Sequence, residues 1–170
     1  MPQITDSYRR LQIQLHKENP SYGTSGAKHA DRILDLAQKL KTKDVLDFGC
    51  GKQTLQKSLP FPIQNYDPCI DGLDSPPRAA DIVVCSDVLE HIEPECIDEV
   101  LQHLGELTKQ VIFLDVATRP AQKVLADGRN AHILQLPVMK WLTMLEPYFE
   151  LHSLQTYGGG FVMIATPWKK

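Results

Sequence analysis

The stretch that most constrains this fold is residues 45–55, Val-Leu-Asp-Phe-Gly-Cys-Gly-Lys-Gln-Thr-Leu, where an apolar run breaks into a turn with glycines at 49 and 51. This pattern predicts a buried parallel strand, a tight turn at its carboxyl end and the start of a helix. In an open α/β sheet, ligands bind at that end of the strands. Gly49 and Gly51 can take positive φ without a Cβ penalty and let the backbone approach a bound molecule. Asp47 closes the strand with a carboxylate facing the crevice, and the N–H groups that open the next helix suit an anionic or carboxylate-bearing ligand. By itself a Gly-x-Gly turn is a weak signal, compatible with several nucleotide-like ligands.

A chain of 170 residues predicts one domain with a core large enough to stand without disulfides or metal. A formal net charge of -3 argues against a broad phosphate-binding surface, which makes nucleic acid a second choice. Cysteines at 50, 69, 85 and 96 show neither the paired spacing of a zinc site nor the crowding of a disulfide scaffold, so reduced thiols in a cytoplasm and no metal are expected. No charged-then-apolar leader opens the sequence, and no apolar run approaches the ~20 residues that cross a bilayer. The expectation is a soluble cytoplasmic protein.

Residues 4–17 predict a first helix, capped by Thr5 or Asp6, with Tyr8, Leu11 and Leu15 near helical spacing and Arg9, Arg10 and Lys17 on a solvated face. Residues 18–26 contain Asn-Pro and two glycines and form a loop rich in hydroxyls, with one aromatic ring at Tyr22. Residues 27–41 repeat apolar positions at Ala30, Ile33, Leu34, Ala37 and Leu40, one helical face against a sheet. A short helix over 54–58 ends before Pro60 and Pro62.

Residues 63–67 predict the second strand, ending at Asp67-Pro68. An acidic residue about twenty positions beyond the first turn is where a doubly wound fold places a carboxylate for ribose hydroxyls, and Asp67 meets that interval from Asp47. Residues 69–80 are too few for a strand and a helix, so the third unit shrinks to a brief strand or loop around 72–75, where Asp71 or Asp74 either meets an adenine amino group or forms turns. Residues 81–86 form a buried strand, with Asp87-Val88-Leu89-Glu90-His91 at its carboxyl end. A helix over 93–107 and a central strand over 110–115 follow. Residues 118–137 have no clear period and carry Arg119, Lys123, Arg129, Asn130 and His132, the composition of a substrate mouth or lid. A helix over 138–148 leads to strands over 149–156 and 161–166, and the Gly158-Gly159-Gly160 connector requires an antiparallel hairpin.

With Asp47-x-Gly49-x-Gly51, Tyr66-Asp67-Pro68, Asp87-Val88-Leu89-Glu90-His91 and the closing hairpin in place, the chain resembles the class I S-adenosylmethionine-dependent methyltransferases over residues 44–167. The resemblance implies a doubly wound, mostly parallel α/β sheet of the seven-stranded type, helices on both faces, an antiparallel C-terminal hairpin and a shortened third unit. It implies S-adenosyl-L-methionine as cofactor and S-adenosyl-L-homocysteine as product. Gly49, Cys50 and Gly51 would lie against the methionine part, Asp47 would hold its amino group, and Asp67 with Pro68 would meet the ribose. Ser86, Asp87 and Val88, continuing to His91, would line the floor beside the sulfonium. Tyr22 and Ser25 would sit in a loop over the cofactor. Two departures stand out: Gln53 replaces the family's common third glycine, and the compressed third unit leaves the adenine-contacting acid open. A dinucleotide-dependent oxidoreductase competes, but Gln53 and the hairpin weigh against it.

Methyl transfer needs a base only when the acceptor carries a proton at neutral pH. His91 and His132 are the candidates, with Asp87 as another, and Arg129, Asn130 and His132 are candidates for substrate contact. Neither an Asn-Pro-Pro-Tyr type of signature nor a Pro-Cys pair occurs at the strand before Asp87, which favours a small-molecule acceptor, methylated at oxygen or nitrogen, on a monomer or homodimer. The alternatives are a nucleic-acid methyltransferase that uses Arg9, Arg10 and Lys17 with a partner, and a cofactor-binding protein without transfer activity.

Overall fold

The computed structural model describes residues 3–168. Its sheet has six strands in the order β2-β1-β3-β4-β6-β5. These are β1 (Val45–Phe48), β2 (Gln64–Tyr66), β3 (Ala80–Ser86), β4 (Thr108–Ala117), β5 (Phe149–Tyr157) and β6 (Gly160–Pro167). The first four pair in parallel, and β6 inserts antiparallel between β4 and β5. The expected hairpin forms, its turn reduced to Gly158 and Gly159, the latter at φ 101°. The shortened third unit is a loop that adds no strand.

Side-chain alternation along the central strands divides the core between two faces. Leu46, Phe48, Val83, Cys85, Ile112 and Leu114 pack with α4 (Ile97–Leu107) and α5 (Val138–Leu145). Val45, Ile82, Val84, Val111 and Phe113 pack with Ile33 and Ala37 of α2 (Ala30–Leu40) and Leu55 of α3 (Thr54–Ser58). Helices thus cover both faces.

Element boundaries differ from expectation where polar groups intervene. The predicted helix over 27–41 divides into a 3-10 segment, Ser25–His29, and α2, which Lys41 ends in a left-handed conformation. The helix expected from residue 93 begins only at Ile97, after a 3-10 turn over Leu89–His91, a bend at Ile92 and a turn over 94–96 that contains Pro94. Residues 118–137, expected to form a substrate mouth or lid, make a loop held by an isolated bridge between Val124 and Asn130. Helix α1 (Asp6–Glu18) starts as expected, with the Tyr8 N–H donating to the Thr5 hydroxyl. Among the described residues no helix is long and apolar enough to cross a membrane.

Since β1 leads to β2 on one side and β3 lies on its other, the strand order reverses at β1. Ligand crevices of open α/β sheets form at such a reversal, outside the carboxyl ends of the strands.

Candidate functional site

A cleft of about 460 Å³ opens there. Its base is the turn after β1, where the Gly49 and Cys50 N–H groups donate to the Tyr66 carbonyl at 2.7 and 3.0 Å. Gly49 and Gly51 have φ of 78° and 52°, and neither has room for a side chain: a Cβ would overlap Val88 at Gly49 and the Gly23 backbone at Gly51. Gln53, in the position of the missing third glycine, nevertheless adopts the left-handed conformation, φ 58°. The Lys52 N–H donates to the Gly23 carbonyl at 2.7 Å, which staples the loop before the Ser25–His29 segment onto this turn.

Two acids face the cleft from adjacent strand ends. Asp47 is 3% exposed, and its Oδ2 has no hydrogen-bond partner. Burial, then the Asp67 charge, pushes its carboxyl up to about 7. Asp67 accepts from the Gly51 N–H at 3.1 Å and from the Cys69 N–H at 2.9 Å. Burial, with a further contribution from Asp67, raises the Cys69 thiol to about 12, so it stays protonated.

The roof comes from α1. Gln12 donates to the Tyr8 hydroxyl at 2.7 Å and accepts from the Tyr22 hydroxyl at 2.8 Å. The Tyr22 ring stands edge-on to His16 and His91, with centroids 4.6 and 5.7 Å away. His16 Nδ1, also facing this cleft, is buried without a partner. Arg9, expected on a solvated face, instead donates to the Pro68 carbonyl at 2.6 Å and pairs with Asp74 at 3.1 Å, tying α1 to the loop after β2.

The floor follows β3. Asp87 takes φ 61°, its N–H held by the Asp115 carbonyl at 2.8 Å. Glu90 is wholly buried; one carboxyl oxygen accepts from the Ala117 N–H at 2.8 Å and the other has no partner. Burial, then the neighbouring Asp87 charge, raises its carboxyl well above the ordinary range. His91 Nδ1 lies 2.7 Å from the Ala131 carbonyl and His132 Nδ1 lies 2.6 Å from the Arg119 carbonyl. A carbonyl only accepts, so both rings carry hydrogen on Nδ1, and in a neutral imidazole so held Nε2 is the acceptor. Burial, then His132, lowers His91 to about 4, so it is neutral through the physiological range.

Behind the floor, buried Asp115 accepts from Lys28 and is hydrogen-bonded to His29, both at 2.7 Å, and it accepts from Tyr157 at 2.6 Å. Burial works to raise this carboxyl, but His29, then Lys28 and Tyr157, outweigh it and bring it down to about 2. The network anchors the Ser25–His29 segment, and with it the covering loop, to β4 and β5.

The cleft gathers Tyr22, Ser25, Asp47, Gly49, Cys50, Gly51, Asp67 and Pro68, and also Ser86, Asp87, Val88, His91 and His132. Arg129 and Asn130 are not brought to its wall. Arg129 pairs with Asp127 and stacks over the Tyr8 ring, and the Asn130 side chain clamps both backbone groups of Ala121. Lys123, with Ala121 and Gln122, lines the cleft from that loop instead. Sequence reasoning also missed Gln12 and His16, although Tyr8, Gln12 and His16 recur every fourth residue on one face of α1, the signal that would have found them.

The arrangement can hold a polar, amine-bearing ligand across two acids and a bare glycine turn, beside the imidazoles of His91 and His132. The sequence matches a family model described as a methyltransferase domain over residues 24–157. No curated protein sequence matches it. Among solved structures it is similar to 1,6-didemethyltoxoflavin-N1-methyltransferase from Burkholderia thailandensis, with bound 1,6-didemethyltoxoflavin and S-adenosylhomocysteine, at 14% identity and a TM-score of 0.67, covering 94% of this chain and 86% of that one. It is also similar to magnesium protoporphyrin IX methyltransferase from Synechocystis PCC 6803 with bound SAH, at 15% identity and a TM-score of 0.58, covering 83% and 82%. The N-methyltransferase NodS from Bradyrhizobium japonicum WM9, in complex with S-adenosyl-L-homocysteine, gives 12% identity and a TM-score of 0.58, covering 84% and 87%. These likenesses speak to the fold. With the family model covering most of the chain and the cleft at the strand reversal, the protein belongs to the methyltransferase domain family.

Proposed function

We propose that this chain transfers a methyl group from S-adenosyl-L-methionine to a small-molecule acceptor, at oxygen or nitrogen, and releases S-adenosyl-L-homocysteine. The observation that carries this reading is the buried, unpartnered Asp47 carboxylate, which shares one cleft with Asp67 and two glycines that have no room for a side chain. A buried carboxylate without a partner is costly, and the ammonium of an amino-acid moiety would relieve it. Gly49, Cys50 and Gly51 would face that moiety and Asp67 the ribose, while Tyr22 and Ser25 would close over the cofactor. The cofactor supplies an activated methyl group. The protein's own share is to position the acceptor, exclude water and, for a protonated acceptor, take its proton through an imidazole such as His91.

A small acceptor is supported by the cleft's enclosure between α1 and the 118–137 loop, and by volume, which lies in the range of small-molecule pockets. The named small molecules of two of the similar structures, 1,6-didemethyltoxoflavin and magnesium protoporphyrin IX, agree with that reading. Arg9, one of three basic residues that a nucleic-acid reading would use, is already engaged by Pro68 and Asp74. Turnover of labelled S-adenosyl-L-methionine against a panel of hydroxyl- and amine-bearing metabolites tests the proposal, with transfer to at least one expected. Tight cofactor binding without transfer to any acceptor, or transfer to RNA or DNA alone, would overturn it.

A further inference from the structure

We propose that Asp87, Glu90 and His132 bind one divalent cation of the Mn2+ kind at the floor of the cleft, where it holds an ionisable oxygen of the acceptor. The second clause rests on the methyl-transfer reading; the first does not.

One potential ligand atom from each of these residues lies within 4.8 Å of the other two. Asp87 and Glu90 come from the one run that follows β3, and His132 joins them from the 118–137 loop. Two further observations point to an ion. Glu90 is 0% exposed, yet one carboxyl oxygen has no partner while the other is fixed by the Ala117 N–H, so the group cannot swing away to find one. The polar side chain it meets is Asp87, another acid, which can pair with that oxygen only through a shared proton, whereas a cation would satisfy both. His132 gives Nδ1–H to the Arg119 carbonyl, which leaves the Nε2 lone pair free; a backbone carbonyl orienting a metal-bound imidazole does the same.

The charge balance agrees. Among the described residues no lysine or arginine forms an ion pair with Asp87 or Glu90, so no side chain already fills the place of a cation between them. Two carboxylates and one imidazole, with no thiolate, suit Mn2+ and similar ions better than soft ones. Bonds of about 2.0–2.2 Å require the three atoms to draw closer, a change that rotation of the partly exposed Asp87 side chain permits. Asp87 and His132 line the cleft, so the remaining coordination positions face the acceptor.

An ion in this place lowers the pKa of a bound hydroxyl, whose proton then leaves to water. The acceptor class is therefore a hydroxyl, phenol or enol rather than an amine. It also gives His132 a task that needs no proton transfer.

The test is titration of the chelator-treated full chain with MnCl2, following free aqueous Mn2+ by electron paramagnetic resonance, with S-adenosyl-L-homocysteine calorimetry in parallel. One saturable site is expected, weakened at least about tenfold in His132→Gln and Glu90→Gln. Because Glu90→Gln alters a wholly buried group, Asp87→Asn serves as the companion variant, with circular dichroism confirming that each is folded. No saturable Mn2+ binding below millimolar concentration, or folded variants that bind as the parent does, would overturn the ion site. Mn2+ binding without S-adenosyl-L-homocysteine binding would leave the ion site standing and remove the methyl-transfer reading; the reverse would remove the ion site alone.

Discussion

The Asp67 carboxylate accepts a hydrogen bond from the Gly51 N–H at 3.1 Å, so the ends of β1 and β2 hold each other across the base of the cleft. One acid thereby shapes the glycine turn and also lines the cleft. Asp67→Ala is expected to weaken S-adenosyl-L-homocysteine binding by roughly 1.5–3 kcal/mol, the scale of a hydrogen bond to a charged group. Calorimetry checks it, and unchanged affinity would remove Asp67 from the ribose position.

Gly51 and Gly72 both have positive φ, but a Cβ on Gly51 overlaps the Gly23 backbone while one on Gly72 meets open space. Gly72→Ala should cost only the conformational strain, about 1 kcal/mol, whereas Gly51→Ala should cost more and also displace the loop over the cleft. Chemical denaturation of the two variants measures the difference. Equal losses would mean that the Gly23 contact is not fixed.

Asp47 releases its proton near 3.8 in an ordinary environment but holds it to about 7 in the fold. Between those values the native state binds more protons than the unfolded chain, so the contribution of this group to stability falls as pH rises and levels off above about 7. Asp47→Asn should therefore gain stability over the ligand-free parent from pH 4 to pH 7, by at most roughly 4 kcal/mol. Melting curves across that range check the sign; a constant difference would contradict the assignment. The same substitution should weaken S-adenosyl-L-homocysteine binding at pH 8, since the ammonium loses its counter-charge.

His132 touches the floor of the cleft without reaching the glycine turn. His132→Ala is expected to lower kcat by about tenfold or more while changing cofactor affinity by less than about threefold, the lower end of general-base and positioning effects. Steady-state kinetics beside calorimetry separates the two, and equal activity of variant and parent would place His132 outside the site.

Much of the fold was legible because local pattern and topology agree. Val45 and Leu46 read as a buried strand, the glycine turn followed, and the Gly158–Gly160 connector forced the hairpin. The strand-end acids were legible as positions, since sequence interval maps onto the ends of adjacent parallel strands. Less visible was what depends on distant parts of the chain. Asp115 meets His29 from 86 residues away, and Glu93 accepts from Thr5 across 88. No local period encodes such pairs. Arg129 and Asn130 sat in the right loop, but its internal clamp onto Ala121 turns Asn130 inward and leaves Lys123 at the cleft. Glu90 could be read as part of a strand-end motif, yet only the folded chain buries it with one oxygen unmatched.

The central claim is that this cleft seats S-adenosyl-L-methionine, and calorimetric titration of the parent protein with S-adenosyl-L-homocysteine and, separately, NAD tests it most directly. Saturable one-to-one binding of S-adenosyl-L-homocysteine with no binding of NAD is the result predicted. Binding of NAD alone, or of neither, would contradict it.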